Sequence, residues 1–133
     1  MLKQIKDMKP TDLMIGDWVR IKGHLDYDKV QEIARDENMQ WYISFACSAT
    51  LFRAYKFEPV LLTPEILEKN GWERNGIFME KRIDENTHLS WTDICGSVLS
   101  QGNYYMCDCN YVHTLQHALR LCGGDELANN FKV

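Results

Sequence analysis

A chain of 133 residues, 45% hydrophobic and 26% charged with only three prolines, has the length and make-up of one soluble domain that buries a core without disulfide or metal staples. Its net charge of −4 argues against a protein that grips duplex nucleic acid mainly through phosphates, since that needs a basic surplus. Five cysteines, a charged N-terminus MLKQIKDMKP, and no apolar run near the ~18 residues of a membrane span read as reduced thiols in a cytoplasmic protein.

In chain order, the first half predicts short strands. Leu13 and Ile15 precede the turn pair Gly16-Asp17, and Trp18 to Lys22 then alternates, with Val19 and Ile21 facing one side and Trp18 and Arg20 the other. HLDYD, residues 24–28, reads as a polar connection. Lys29 to Arg35 is a second strand, in which Val30 and Ile33 break strict alternation and ask for a bulge or a frayed end. After a turn at Asp36-Glu37-Asn38, QWYISFAC gives the cleanest period of two. Trp41, Ile43, Phe45 and Cys47 share one face, and Tyr42, Ser44 and Ala46 the other. Leu51 to Phe57 adds another strand. Strands this short, with turns this frequent, predict a small curled sheet or SH3-like barrel, or else a plain meander packed against a helix. The lysines Lys3, Lys6 and Lys9, with Arg20 and Lys22, read as solvated charge.

The middle of the chain holds the clearest local signal. In LLTPEILEKNGW, Thr63 is placed to cap a helix, Pro64 takes the first helical position, Glu65 meets the positive end of the dipole, and Gly71 ends the helix. Trp72 can then fold back over Ile66 and Leu67. Arg74-Asn75-Gly76, Asp84-Glu85-Asn86 and Gln101-Gly102-Asn103 mark turns before IFMEKRI, THLSWTDI and YYMCDC. A last helix buries Val112, Leu115, Leu119 and Cys122, stops at Gly123, and leaves His113, Gln116, His117 and Arg120 as a polar strip. The whole reads as a single α+β domain over residues 1–133: an N-terminal small curled sheet or SH3-like barrel, a short central helix, further β-hairpin strands and a C-terminal amphipathic helix.

CDCNYVHTLQH, residues 107–117, comes nearest to named chemistry. His113 and His117 at i and i+4 lie on one helical face, as a shared zinc ion requires, with Cys107 and Cys109 just upstream. The spacing is poor for a finger. One residue between the cysteines leaves them ~7 Å apart along a strand, where fingers use a turn of two to four. Filling of the interior explains the same letters, with Tyr105, Cys107, Cys109 and Tyr111 on one strand face and cysteine acting as a small hydrophobe. A zinc-stabilised small domain therefore stands as the second alternative, and no metal or cofactor is expected. Cys95 with His88 as a nucleophile pair, and the carboxylate pairs Asp26/Asp28 and Asp84/Glu85, lack the company that catalysis needs. Phosphate loops, nucleophile elbows and dinucleotide fingerprints are absent.

DLMIGDWV, then FEPVLLTPEILEKNGW, then YVHTLQHALRLCGGDEL resemble an uncharacterised family of short proteins from gut Bacteroidetes genomes and their phages or other mobile elements. The family pattern runs L-R-I-G-N-W-V, then P-I-P-L-T-x-E-x-L-x-x-F-G-F, then Y-V-H-x-L-Q-x-L leading to T-G-x-E-L. Leu13 to Val19, Pro59 to Trp72 and Tyr111 to Leu127 occupy those places, so the three anchors span most of the chain. The resemblance implies a shared fold and a mobile-element setting and carries no assigned activity. Cys107, Cys109 and His117 have no counterpart in the pattern, which weighs further against a zinc site.

The expected function is a non-enzymatic protein- or peptide-binding module, with aromatic side chains as its anchors. Its expected surface is Trp18, Arg20, Tyr42, His113, His117 and Arg120. A nucleic-acid-associated SH3-like module is the alternative, disfavoured by the acidic balance. No membrane partner is expected, and exposed strand edges in so small a sheet could pair two copies.

Overall fold

The computed structural model describes residues 12–23, 26–35, 37–46, 48–53 and 57–133. Lys3, Lys6, Lys9, His24, Leu25, Asp36 and Cys47 lie outside them. The chain divides into two compact units between Val60 and Leu61, each with its own antiparallel sheet.

In the first unit, β1 (Trp18–Ile21), β2 (Tyr27–Arg35), β3 (Trp41–Phe45), β4 (Ser48–Arg53) and β5 (Phe57–Pro59) form a sheet in the order β4-β3-β2-β1-β5. The period of two sorts the side chains. Val19, Ile21, Val30, Ile43, Phe45 and Phe57 turn inward and, with Leu13, make the buried core. Phe45 and Phe57 meet edge to face at 5.2 Å between ring centroids.

β2 begins two residues earlier than the sequence suggests, because Tyr27 and Asp28 pair with Arg20 and Val19 instead of forming a connection. Val30 lies opposite Phe45 and Glu32 opposite Ser44, so Gln31 is the extra residue of a bulge. The strand's first half serves β1 and its second half β3. The expected single strand from Leu51 to Phe57 is instead the end of β4 and the start of β5. β4 and β5 are the open edges of the sheet, so closure into a barrel is not observed. At the start of the unit Asp17 is fully buried, and its Oδ2 accepts the Met14 N–H at 2.8 Å.

The second unit carries α1 (Pro64–Lys69), β6 (Glu73–Asn75), β7 (Phe78–Arg82), β8 (His88–Thr92), β9 (Val98–Gln101), β10 (Tyr104–Asp108), α2 (Val112–Leu121) and α3 (Asp125–Asn129). Its sheet is a plain meander, β10-β9-β8-β7-β6. Thr63 caps α1, its Oγ1 accepting the Ile66 N–H at 3.3 Å. Gly71, at φ 80°, turns the chain out of the helix, and the Trp72 N–H closes back on the Leu67 carbonyl at 3.1 Å. Thr63→Ala removes the cap of a six-residue helix and lowers stability by ~1 kcal/mol in urea unfolding. Asn70 then ties this corner to the chain end, exchanging hydrogen bonds of 2.8 Å with the Lys132 backbone in both directions.

Three sequence expectations change here. Arg74 and Asn75 belong to β6, and the turn is Gly76-Ile77, since Asn75 already pairs with Phe78. Gln116 is buried, not part of a surface strip, and its Nε2 donates to the Ala128 carbonyl of α3 at 3.0 Å. α3 itself is an element the sequence reading did not separate from the C-terminal tail. Cys122 is the half-buried C-cap of α2, beyond its buried face of Val112, Leu115, Gln116, Ala118 and Leu119.

Candidate functional site

Strand pairing collects one aromatic and charged group on the outer face of the first sheet. Trp18 is paired with Lys29 and Arg20 with Tyr27, while their neighbours Val19 and Val30 point into the core. The Lys29 ammonium stands 5.5 Å from the centre of the Trp18 ring, a cation–π contact. Across the sheet Arg20 is ion-paired with Glu58 of β5. The hydrogen bond that the guanidinium donates to Glu58, then the charge of that carboxylate, raise the Arg20 pKa further above its ordinary value. Tyr42 and Ser44 continue the same face on β3, opposite Ala34 and Glu32. Tyr27 is 44% exposed. The sequence signalled Trp18, Arg20 and Tyr42 by alternation alone. Tyr27 was missed because HLDYD carries no apolar period, and Lys29 because only the pairing of β1 with β2 sets it beside Trp18.

Trp41, which alternation sets on the face of Ile43 and Phe45, is only half-buried at the start of β3, with the Arg35 guanidinium 4.4 Å from its ring centre. Asp28 is also misplaced by sequence. It lies inside β2, buried, with an oxygen accepting the Lys29 N–H at 2.9 Å, and is not an exposed turn acid.

His113, His117 and Arg120 fall in the second unit, not the first. Near the start of α2 the His113 ring stacks on Tyr111 at 5.8 Å and meets His117 edge to face at 5.6 Å. Among the described residues, no three His, Cys, Asp or Glu side chains converge as metal donors. His88 lies 3.5 Å from Glu80, and Cys95 is exposed.

The cysteines just upstream of α2 are set by a bulge. Tyr105 faces Ser100 but Cys107 faces Leu99, so Met106 is the extra residue and the two faces exchange. The expected single face of Tyr105, Cys107 and Cys109 is therefore broken. Tyr105 is 63% exposed, its hydroxyl donating to Asp108 at 3.0 Å, and that bond is the main cause of its raised pKa. Cys107 instead ends the inward row Met79, Trp91, Leu99 across the sheet. The Cys109 thiol, fully buried, hydrogen-bonds to the Cys107 sulfur and brings the Cys107 pKa down to about 7, against the effects of burial and Asp108. The same bond and burial push the Cys109 thiol well up. Backbone bonds fix the segment: the Cys109 N–H donates to Ser97, and the Trp91 indole donates to the Cys109 carbonyl at 2.9 Å. Cys122 is raised by burial, and after that by the charges of Asp84 and Cys107.

The class these observations define is a small α+β protein with two open antiparallel sheets and three short helices among the described residues. No helix among them is long and apolar enough to cross a membrane. Comparison with protein-family models, curated proteins and solved structures gives no match for the chain.

Proposed function

We propose that the chain is a non-enzymatic protein- or peptide-binding module of the cytoplasm, carried by a phage or mobile element, that binds its partner on the outer face of the first sheet. The observation that carries this is the row Trp18, Lys29, Tyr27 and Arg20 on the side of β1 and β2 turned away from the core, with Tyr42 further along. Rigid aromatics flanked by polar groups are what interface hot spots are made of. Glu58 neutralises Arg20, so the face offers mixed charge and not a phosphate track.

An SH3-like arrangement of the first unit is part of the proposal. It is supported by the order β4-β3-β2-β1-β5, in which the last strand returns beside the first and a long bulged β2 serves both halves. The resemblance of the three sequence anchors supports the mobile-element setting.

The test is capture of partners from the native host with tagged wild type, Trp18→Ala and Tyr27→Ala. A stoichiometric protein recovered by the wild type and lost with both variants supports the reading. The same protein held equally well by all three overturns it.

One further observation favours a nucleic-acid module as the second reading. Two cations lie over two indoles, Lys29 on Trp18 and Arg35 on Trp41, as in sequence-tolerant single-strand binders. Fluorescence anisotropy with a single-stranded oligonucleotide separates the two. Binding that weakens steeply with salt selects this reading, and no binding at low salt removes it.

A further inference from the structure

We infer that the second unit holds a binding site for a small organic phosphate, a monoester whose apolar body enters a cavity and whose head lies among Lys69, Lys81 and Lys132. The cavity measures about 250 Å³ and its residues all belong to the second unit. Its floor is apolar: Trp72, Leu119 and Phe131 line it, each at most 4% exposed. Three lysines line it too and, among the described residues, no carboxylate does. None of the three ammonium groups is ion-paired with an acid among those residues. In a chain of net charge −4 this is a local surplus of positive charge beside an apolar hollow, which fits an anion with an apolar body.

Three separate elements deliver the charges. Lys69 ends α1, and Lys132 is held through its backbone by the Asn70 amide at 2.8 Å. Lys81 carries the most weight. On β7 it stands two residues from the buried Met79 and opposite the buried Leu89, so its side chain starts on the inner face of the sheet. It is half-buried there, and a partly desolvated charge is stabilised by an anion beside it. Its ammonium reaches Gly71, where an added Cβ would stand 3.0 Å from the nitrogen. Gly71 thus both ends α1 and leaves room for this charge.

Size and charge choose the ligand. At ~30 Å³ per water the volume holds about eight waters, and so a body of about that many non-hydrogen atoms, a single ring or a short alkyl chain. Three ammonium groups repel one another, and a phosphate dianion relieves this more fully than a singly charged carboxylate. Lysine meets phosphate as a point charge, without the planar fork that arginine presents. The neighbouring depression beyond Gly71 shares Lys81 but is also lined by Glu73 and Glu80, which repel the same head. The head therefore belongs on the side of Lys69 and Lys132.

The experiment titrates the isotope-labelled full chain with phenyl phosphate, and separately with inorganic phosphate, phenol and phenylacetate, following backbone amides by NMR. Phenyl phosphate should move the amides of Gly71, Trp72 and Phe131 and saturate below millimolar concentration. Inorganic phosphate, which lacks the body, and phenol, which lacks the charge, should each bind about tenfold more weakly or worse. Phenylacetate, with one charge, should fall between. Lys81→Gln should weaken phenyl phosphate about tenfold, and Lys81→Arg should retain it. Lys132→Gln, at an exposed position, should weaken it several-fold and decides the matter where Lys81→Gln does not fold. Inorganic phosphate bound as tightly as phenyl phosphate would reduce the site to surface charge and overturn the proposal. So would equal binding of phenol, tighter binding of phenylacetate, shifts centred away from Gly71 and Phe131, no saturation by phenyl phosphate at millimolar concentration, or an affinity untouched by both glutamine variants.

Discussion

Trp91→Ala should lower the unfolding free energy by about 3–5 kcal/mol, the largest single loss in the second unit. Trp91 is 1% exposed at the centre of its sheet, paired with Met79 on one side and Leu99 on the other. Removing the indole leaves a cavity between two strands that cannot collapse without breaking their ladder. It also takes the donor from the Cys109 carbonyl, which the indole meets at 2.9 Å. Trp91→Phe separates the two effects, since it restores most of the volume and not the hydrogen bond. It should cost about 1–3 kcal/mol, the penalty of one buried acceptor left unmet. Urea unfolding followed by far-ultraviolet circular dichroism measures both. A loss below ~1 kcal/mol for the alanine variant would mean that the row from Met79 to Cys107 is not the support of the sheet.

Phe45→Ala should have a comparable effect on the first unit, about 3–5 kcal/mol. Among the described residues the buried cluster there comprises seven, of which Phe45 and Phe57 are the aromatics. Phe45 is 1% exposed and packs its edge on Phe57, so truncation removes both its own area and the ring contact. Phe45→Leu keeps much of the volume and should cost clearly less. Amide exchange at Val19 and Ile43 should accelerate with the alanine variant and little with leucine. Equal acceleration by both would show that the ring contact, and not the volume, holds the sheet.

Much of this fold could be read from the letters wherever one face of an element is buried and the other wet. Trp18 to Ile21 and Tyr42 to Phe45 alternate in sequence and in burial alike. Thr63, Pro64 and Gly71 announce α1 because capping depends on side chains within a few residues. The failures have a common cause: a polar residue satisfied by a distant or backbone partner looks like surface. Asp28 is buried against its own backbone, and Gln116 against a carbonyl twelve residues on. The bulge at Met106 is invisible for a related reason. It changes which face Tyr105 takes without changing the composition of YYMCDC. α3 has only five residues, too few for an apolar period to declare itself.

The candidate binding face was half legible. Trp18, Arg20 and Tyr42 could be placed by alternation, whereas Tyr27, Lys29 and Glu58 join them only through strand pairing. The thiol pair was read as filling, and Cys109 is indeed buried.

The proposal that the partner docks on the outer face of the first sheet is tested most directly by photo-crosslinking in the native host. A benzoyl-phenylalanine replaces Tyr27 in one protein and Tyr105, also exposed but in the second unit, in another. The account predicts a discrete partner adduct from position 27 and none from position 105. An adduct formed from position 105 alone would contradict it.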